Sequence, residues 1–320
     1  MPSGSLEAYK NIKSFLETIA AKDKNKLPCC TYIGPQGSGH FVKMVHNGIE
    51  YVEMQLLAEV FSILLANGKN QDEIATILES WKDTANSYLL EITTDILRKK
   101  EDGDWLLKKI LDKAATKGTG NWGVIASANL GVASSLLTAA LFARYISFNK
   151  EERIVHQKNF RKRDRQQLEV VINDVFEAYQ FARIINHYQG FRLLAEASAT
   201  YSWNLNISQI ARIWTSGCII KSNLIEDLVA IFQESHHLLE NSQIIEHLTL
   251  LKPAAKSLVS QCVLHEISVP CLSESIQFFN GITTANSSAN IIQAQRDYFG
   301  AHTYQKVDDV GRNWHTNWKS

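Results

Sequence analysis

The chain has 320 residues, 45% of them apolar and 21% charged, and its 33 basic residues balance 33 acidic ones. That length and apolar share support one large core or two smaller ones. Zero net charge removes the electrostatic motive for binding nucleic acid or an anionic membrane surface, and the cysteines show no paired metal-ligand spacing, so no metal site is expected.

The first twenty residues mix polar, charged and apolar types, unlike a secretory signal. Cys29, Cys30, Cys218, Cys262 and Cys271 read as free thiols in a reducing cytoplasm, with the vicinal Cys29–Cys30 lacking a second pair. An apolar run from Cys29 to Ile33 leads into GPQGSGHFVKMVHNGIEY, Gly34 to Tyr51. Three glycines precede a helical stretch on which Lys43, His46, Asn47 and Glu50 fall at i, i+3, i+4 and i+7, on one face. Phe41, Val42, Met44, Val45, Ile49, Met54, Leu56 and Leu57 surround that stripe and call for burial. Two readings are open. The stripe is either a solvated face, or a buried set that costs several kcal/mol, roughly, unless each member finds a partner.

Apolar residues recur at helical spacing over 41–65, 73–88, 168–198 and 209–232, whereas alternating strand patterns are scarce. Asn121 to Ala143 carries no charge and is long enough to cross a bilayer, but Ser127, Asn129, Ser134, Ser135 and Thr138 interrupt it. Gly131 marks a break between two shorter buried helices. The basic run Arg153 to Arg165 reads as a solvated helix end or loop. Asn204 to Ser208 reads as a loop ending in a helix cap, with Ser208 as the N-cap, and Pro253 and Pro270 fit helix starts or turns. EMQLLAEV (Glu53 to Val60) followed by IATILESW (Ile74 to Trp81) echoes FRLLAEAS (Phe191 to Ser198) followed by IARIWTSG (Ile210 to Gly217), about 137 residues on. This is the mark of duplicated helical halves. Gln180 then stands opposite Lys43 and Arg183 opposite His46, so the polar stripe belongs to the first copy alone. The expected fold is all-α, a large helical bundle-like domain with an internal pseudo-repeat and an extended C-terminal tail. The expected division is 1–290 for the helical domain and 291–320 for the tail.

Five blocks, in order, resemble 6-phosphogluconate dehydrogenase (decarboxylating): HFVKMVHNGIEY; KGTGNW, Lys117 to Trp122; LFARYIS, Leu141 to Ser147; GCIIKS, Gly217 to Ser222; and QAQRDYFGAHTY, Gln293 to Tyr304. They span nearly the whole chain and resemble the family's C-terminal helical substrate and dimerisation domain. No G-x-G-x-x-G fingerprint is present, since Gly37-Ser-Gly39 continues His-Phe-Val, and the opening MPSGSLEAYK resembles the family's sequence just past its coenzyme domain. The expectation is therefore a chain without the NADP-binding domain, inactive by itself unless a separately encoded coenzyme domain joins it.

The resemblance implies oxidative decarboxylation of 6-phosphogluconate to ribulose 5-phosphate with NADP reduction, in the pentose phosphate pathway. It implies that Lys43 is the base that takes the C3 hydroxyl proton and then polarises the ketone, and that Glu50 is the acid that protonates C1. A lysine suits that task when a pocket and other cations lower its pKa from roughly 10.4. His46 and Asn47 match groups that hold hydroxyls and carboxylate. Tyr51, Lys117, Thr119, Arg144, Arg296 and His302 match positions that hold the sugar phosphate, chemically reasonable for a dianion that needs cations and hydroxyl donors. Gly118 and Gly120 would admit backbone amides to an anion. Taken alone, KGTG also fits a helix C-cap, and Arg144 also fits a buried structural ion pair. Arg296, His302 and the aromatic tail Trp314 to Trp318 imply a homodimer whose tails complete each other's sites, the alternative being a tail packed on its own chain. Val52 and Glu53 replace a usual Gly-Asp, and Asn121 replaces a lysine. A valine there would crowd its surroundings by about 1–3 kcal/mol. The alternative function is a non-catalytic paralogue or truncated remnant that binds sugar phosphate or dimerises with a full-length enzyme.

Overall fold

Side chains that satisfy orphan N–H groups set most helix starts. Ser5 accepts from the Ala8 N–H and begins α1 (Leu6–Ile19). Gly37 precedes the 29-residue α2 (Ser38–Ala66). Asn70 and Glu73 form a reciprocal capping box on α3 (Gln71–Ala85), and Ser87 caps α4 (Tyr88–Arg98). The computed structural model describes residues 1–116, 118–160, 167–234 and 237–319. After a two-residue hairpin pair, β1 (Lys100–Glu101) and β2 (Asp104–Trp105), come α5 (Thr119–Leu130), α6 (Ser135–Phe148), α7 (Lys150–Phe160), the 29-residue α8 (Ile172–Thr200), α9 (Ile207–Ile213), α10 (Asn223–Glu234), α11 (Ser242–Leu264), α12 (Pro270–Ile282) and α13 (Ala289–Gly300). The antiparallel strands β3 (Tyr304–Lys306) and β4 (Asp309–Trp314) follow, with Tyr304 opposite Trp314. The all-α expectation holds among the described residues.

The chain divides into two units, Met1–Ile276 and Gln277–Ser320. In the first, α8 packs against both α2 and α11, and α5 and α6 pack against α2. The crossing of α2 and α8 is close because Gly190 has no side chain: a Cβ there would stand 2.6 Å from Ile49 Cδ1. Beside that contact the Arg183 Nε donates to Glu53 Oε2 at 2.9 Å, and the Asn186 side chain donates to the Ile49 carbonyl and to Glu53 Oε1. Glu53 and Arg183 are each 3% exposed. The fully buried Val52 is absorbed in the same packing. In the second unit the hairpin stacks Lys306 and Arg312 over the Trp314 ring, at 3.8 and 4.2 Å from its centre.

Several local expectations need correction. The pattern over 209–232 is not one helix: α9 ends at Ile213 and α10 starts at Asn223. Gly217 sits between them at φ +69°, a left-handed position that also has no room for a Cβ, with Ala21 Cβ 2.4 Å away. The N-cap of α9 is Asn206, which accepts from the Gln209 N–H, while the Ser208 hydroxyl donates to the Val229 carbonyl. Pro253 lies inside α11, not at a start, because Leu248, Leu251, Ala254, Ala255 and Leu258 are buried on both sides of it and hold the helix through the missing N–H. Pro270 does open α12. Gly131 (φ +66°) separates α5 from α6, and among the described residues no helix is long and apolar enough to cross a membrane. α7 buries none of its residues, whereas 161–166 of the basic run lie outside the described residues. The repeat shows as two 29-residue helices, α2 and α8, packed on each other, and diverges after them, where α3 has 15 residues and α9 has 7.

Two polar contacts lock this unit. Removing one partner of the Glu53–Arg183 pair leaves a buried charge unpaired. Glu53→Ala should lose about 3–5 kcal/mol in urea denaturation, and the double change Glu53→Leu with Arg183→Leu should lose less. Glu59, 1% exposed, accepts the Cys271 and Leu272 N–H groups at the start of α12, each at 2.9 Å. Burial pushes its carboxyl up to about 7, against the pull of those N–H groups. A raised folded-state pKa stabilises fully below the unfolded value and loses that contribution as pH rises through 7. Stability measured across pH 4.5 to 7 should therefore carry a falling component that Glu59→Gln removes.

Candidate active site

The polar stripe of α2 is not a solvated face. Lys43 is exposed, but His46 is fully buried, and Asn47 and Glu50 are half-buried. His46 Nδ1 lies 3.2 Å from Lys43 Nζ and 3.2 Å from Asn47 Oδ1, and its ring meets Trp214 edge to face at 5.4 Å. The neutral ring has one proton: with it on Nε2, Nδ1 accepts from Lys43 Nζ, and with it on Nδ1, the ring donates to Asn47 Oδ1. Burial, together with the Lys43 charge, holds the His46 pKa down at about 3. The ring is therefore neutral at any physiological pH, and its Nε2 is buried without a hydrogen-bond partner. Burial raises the Glu50 carboxyl above its usual range, and Lys43 and Arg144 pull it back.

The start of α5 closes one side. Gly118 caps it from the left-handed region at φ +93°, so KGTG is a helix start and not a C-cap. Asn47 Nδ2 donates to Thr119 Oγ1 at 3.4 Å. Gly120 is required there, since a Cβ would meet the Tyr51 ring at 2.6 Å. From α6, the Arg144 guanidinium lies 3.6 Å from the centre of the Tyr51 ring and donates to the Ala115 carbonyl. Among the described residues Arg144 has no salt bridge, so the structural ion pair does not account for it. Lys117 lies outside the described residues. Arg296 and His302 belong to the second unit, where both are exposed. The aromatic tail folds back on α13 within that unit, through Trp318 to Asp297.

Lys43 stands between two cavities. One, of about 450 Å³, is lined by Met1, Cys29, Gly39, His40 and Cys218; the other, of about 480 Å³, by His40, Phe41, Thr119, Trp122 and Trp203. No pattern in the sequence singles out His40, Trp203 or Thr116, whose hydroxyl lies 3.1 Å from the Tyr51 OH. Gly217 and Cys218, noted in the GCIIKS block without a role, form part of the cavity wall. Gly39 makes a close approach that its place in the sequence did not single out: a Cβ would stand 2.3 Å from the Met1 carbonyl.

These features define a helical domain with a graded polar face on α2, flanked by α5 and α6, in which a buried neutral histidine lies between an exposed lysine and a half-buried amide. A family model, 6-phosphogluconate dehydrogenase, C-terminal domain, matches residues 39–318. The decarboxylating 6-phosphogluconate dehydrogenases of Buchnera aphidicola and Caenorhabditis elegans are 42% and 40% identical, each over 99% of this chain and 69% or 68% of the relative. A solved structure of Plasmodium falciparum 6-phosphogluconate dehydrogenase, a protein described with its cofactor NADP+ and its substrate 6-phosphogluconate, superposes with TM-score 0.95 at 36% identity, over 99% of this chain and 70% of that one. The chain belongs to the 6-phosphogluconate dehydrogenase family and has the fold of its C-terminal domain.

The burial of His46 has a direct test. Because its folded pKa is depressed, its ring should show no titration between pH 5 and 8 by NMR. Its contribution to stability should be complete above the unfolded pKa near 6.5 and fall away as pH drops toward 3.

Proposed function

We propose that this chain supplies the substrate half of the oxidative decarboxylation of 6-phosphogluconate to ribulose 5-phosphate. The observation that carries this reading is the contiguous run of contacts from Lys43 through His46 and Asn47 to Thr119, with the Arg144 guanidinium of α6 stacked on Tyr51, on the next turn of α2. A substrate with a carboxylate at one end and a phosphate at the other fits a wall that offers an ammonium, an amide and two hydroxyls, then a guanidinium.

In this reading Lys43 takes the proton of the C3 hydroxyl and then donates a hydrogen bond to the carbonyl oxygen as carbon dioxide leaves. His46 serves this step by staying neutral, so that it adds no second positive charge beside the reacting carbon. Glu50, whose carboxyl burial raises, keeps its proton to higher pH and delivers it to C1. Asn47 orients the substrate's hydroxyls, and Tyr51, Lys117, Thr119 and Arg144 bind phosphate. Arg296 and His302 act in trans on the partner's substrate in a homodimer, which their exposure permits.

NADP takes up the hydride in this chemistry. The described residues contain no strand, glycine turn and helix unit for a dinucleotide pyrophosphate, and their sheets are two antiparallel pairs. They do not fit that group, and we assign its site to residues other than these, on a further segment or a separate chain. Five free cysteines suit a reducing compartment, and we place the reaction in the cytoplasm.

Calorimetry with 6-phosphogluconate alone tests the substrate half. The chain should bind it, and Arg144→Ala should weaken binding about 10- to 100-fold through loss of charge-assisted hydrogen bonds to phosphate. NADPH formation, measured by absorbance with NADP added, should be low for the chain alone and should vanish in Lys43→Ala. A chain that binds no 6-phosphogluconate would sink the proposal.

A further inference from the structure

In the second unit, one buried carboxylate holds the two phosphate-binding candidates in place. Asp297 follows Arg296 on α13 and is fully buried, while Arg296 and His302 on either side are exposed. Its Oδ1 accepts from the Thr303 N–H at 3.0 Å and from His315 Nδ1 at 2.8 Å. Its Oδ2 accepts from the Thr316 N–H at 3.1 Å and from Trp318 Nε1 at 2.8 Å. Burial by itself would raise this carboxyl; the hydrogen bonds from His315, Trp318 and Thr316 outweigh it and hold the pKa at about 2.

The backbone around His302 explains why such an anchor is needed. Ala301 and Thr303, on either side of it, have φ of +49° and +60°, and neither is glycine. Left-handed conformations at β-carbon-bearing residues persist only where the surroundings over-determine them. Here the Ala301 N–H donates to the Asp297 carbonyl at 2.9 Å, and the Thr303 N–H goes to the Asp297 side chain. Gln293 completes the frame: its Nε2 donates to the Thr303 carbonyl, and its Oε1 accepts from Arg296 Nη1 at 3.2 Å. Gly300 leaves room for the ring, since a Cβ there would stand 2.8 Å from His302 Nε2. Asp297 and Gln293 thus tie the Arg296 side chain, the turn that carries His302 and the aromatic tail into one rigid frame.

We propose that Asp297 is a positioning residue that sets Arg296 and His302 at a fixed mutual geometry for recognition of the phosphate group of the substrate. This rests on the functional reading above. Asp297 touches no substrate; its effect passes through the turn. An asparagine cannot replace it, because the amide nitrogen would face two donors that the carboxylate oxygen now accepts.

The test is calorimetric binding of 6-phosphogluconate to four forms of the full chain: unmodified, Asp297→Asn, Arg296→Ala with His302→Ala, and all three changes together. Asp297→Asn should weaken binding about tenfold and shift the Trp318 indole N–H resonance, the sign that the frame has opened. The triple variant should bind within about twofold of the double, because Asp297 acts only through the residues already removed. A fully additive loss, or unchanged affinity in Asp297→Asn, overturns the inference while leaving the functional reading standing. No binding by the unmodified chain overturns that reading and this inference with it. Should Asp297→Asn fail to fold, Trp318→Phe removes one donor and keeps the carboxylate, and it too should weaken binding; unchanged affinity there overturns the inference.

Discussion

The site depends on α2 keeping one rotational setting against α8. Successive residues of a helix are separated by about 100°, so a slip of one position would carry His46 toward solvent and bring Asn47 inward. The crossing forbids this. Ile49 sits where Gly190 has no side chain, and one turn further the Glu53 carboxylate is held by Arg183 and Asn186 of α8. The apolar contact sets the distance, and the buried ion pair and amide set the angle. An ion pair at that depth adds little net stability over an apolar pair. Its physical value is directional, since it is satisfied in a single register.

With α2 fixed, the four stripe residues divide by depth. Lys43 reaches solvent and the cavities, Asn47 and Glu50 lie at the boundary, and His46 is inside. That gradient creates the electrostatics of the cleft. A histidine at the boundary would titrate near neutrality; buried, it stays neutral and adds no charge beside Lys43. Burial acts on Glu50 in the opposite sense, favouring the protonated acid. A single helix face thus holds a histidine that stays neutral and a carboxyl that keeps its proton to higher pH.

Much of this was legible in the chain. The periods of α2, α3 and α8, the break at Gly131, and the coincidence of four polar groups on one face follow from spacing alone. What spacing left open was whether that face met water, because an amphipathic stripe looks the same on a surface as in a cleft. Glu53, which stood out in the sequence only as a departure at a site residue's neighbour, proved to be one end of the clamp, since its partner Arg183 is 130 positions away. Asp297 was hidden inside a recognised block, and its importance arises from donors at 303, 315, 316 and 318 that no local pattern connects.

The sequence by itself determined the helical architecture, the helix break at Gly131 and the identity of the polar groups on α2, because these follow from local stereochemistry and from periodicities of a few residues. Tertiary structure alone decided the N-cap of α9, the continuation of α11 through Pro253, the burial of His46 and the contact between Arg144 and Tyr51. Each of these is a competition between a local preference and packing against residues distant in sequence. The outcome depends on how much apolar surface and how many hydrogen bonds the distant partner contributes, which no window of the chain contains.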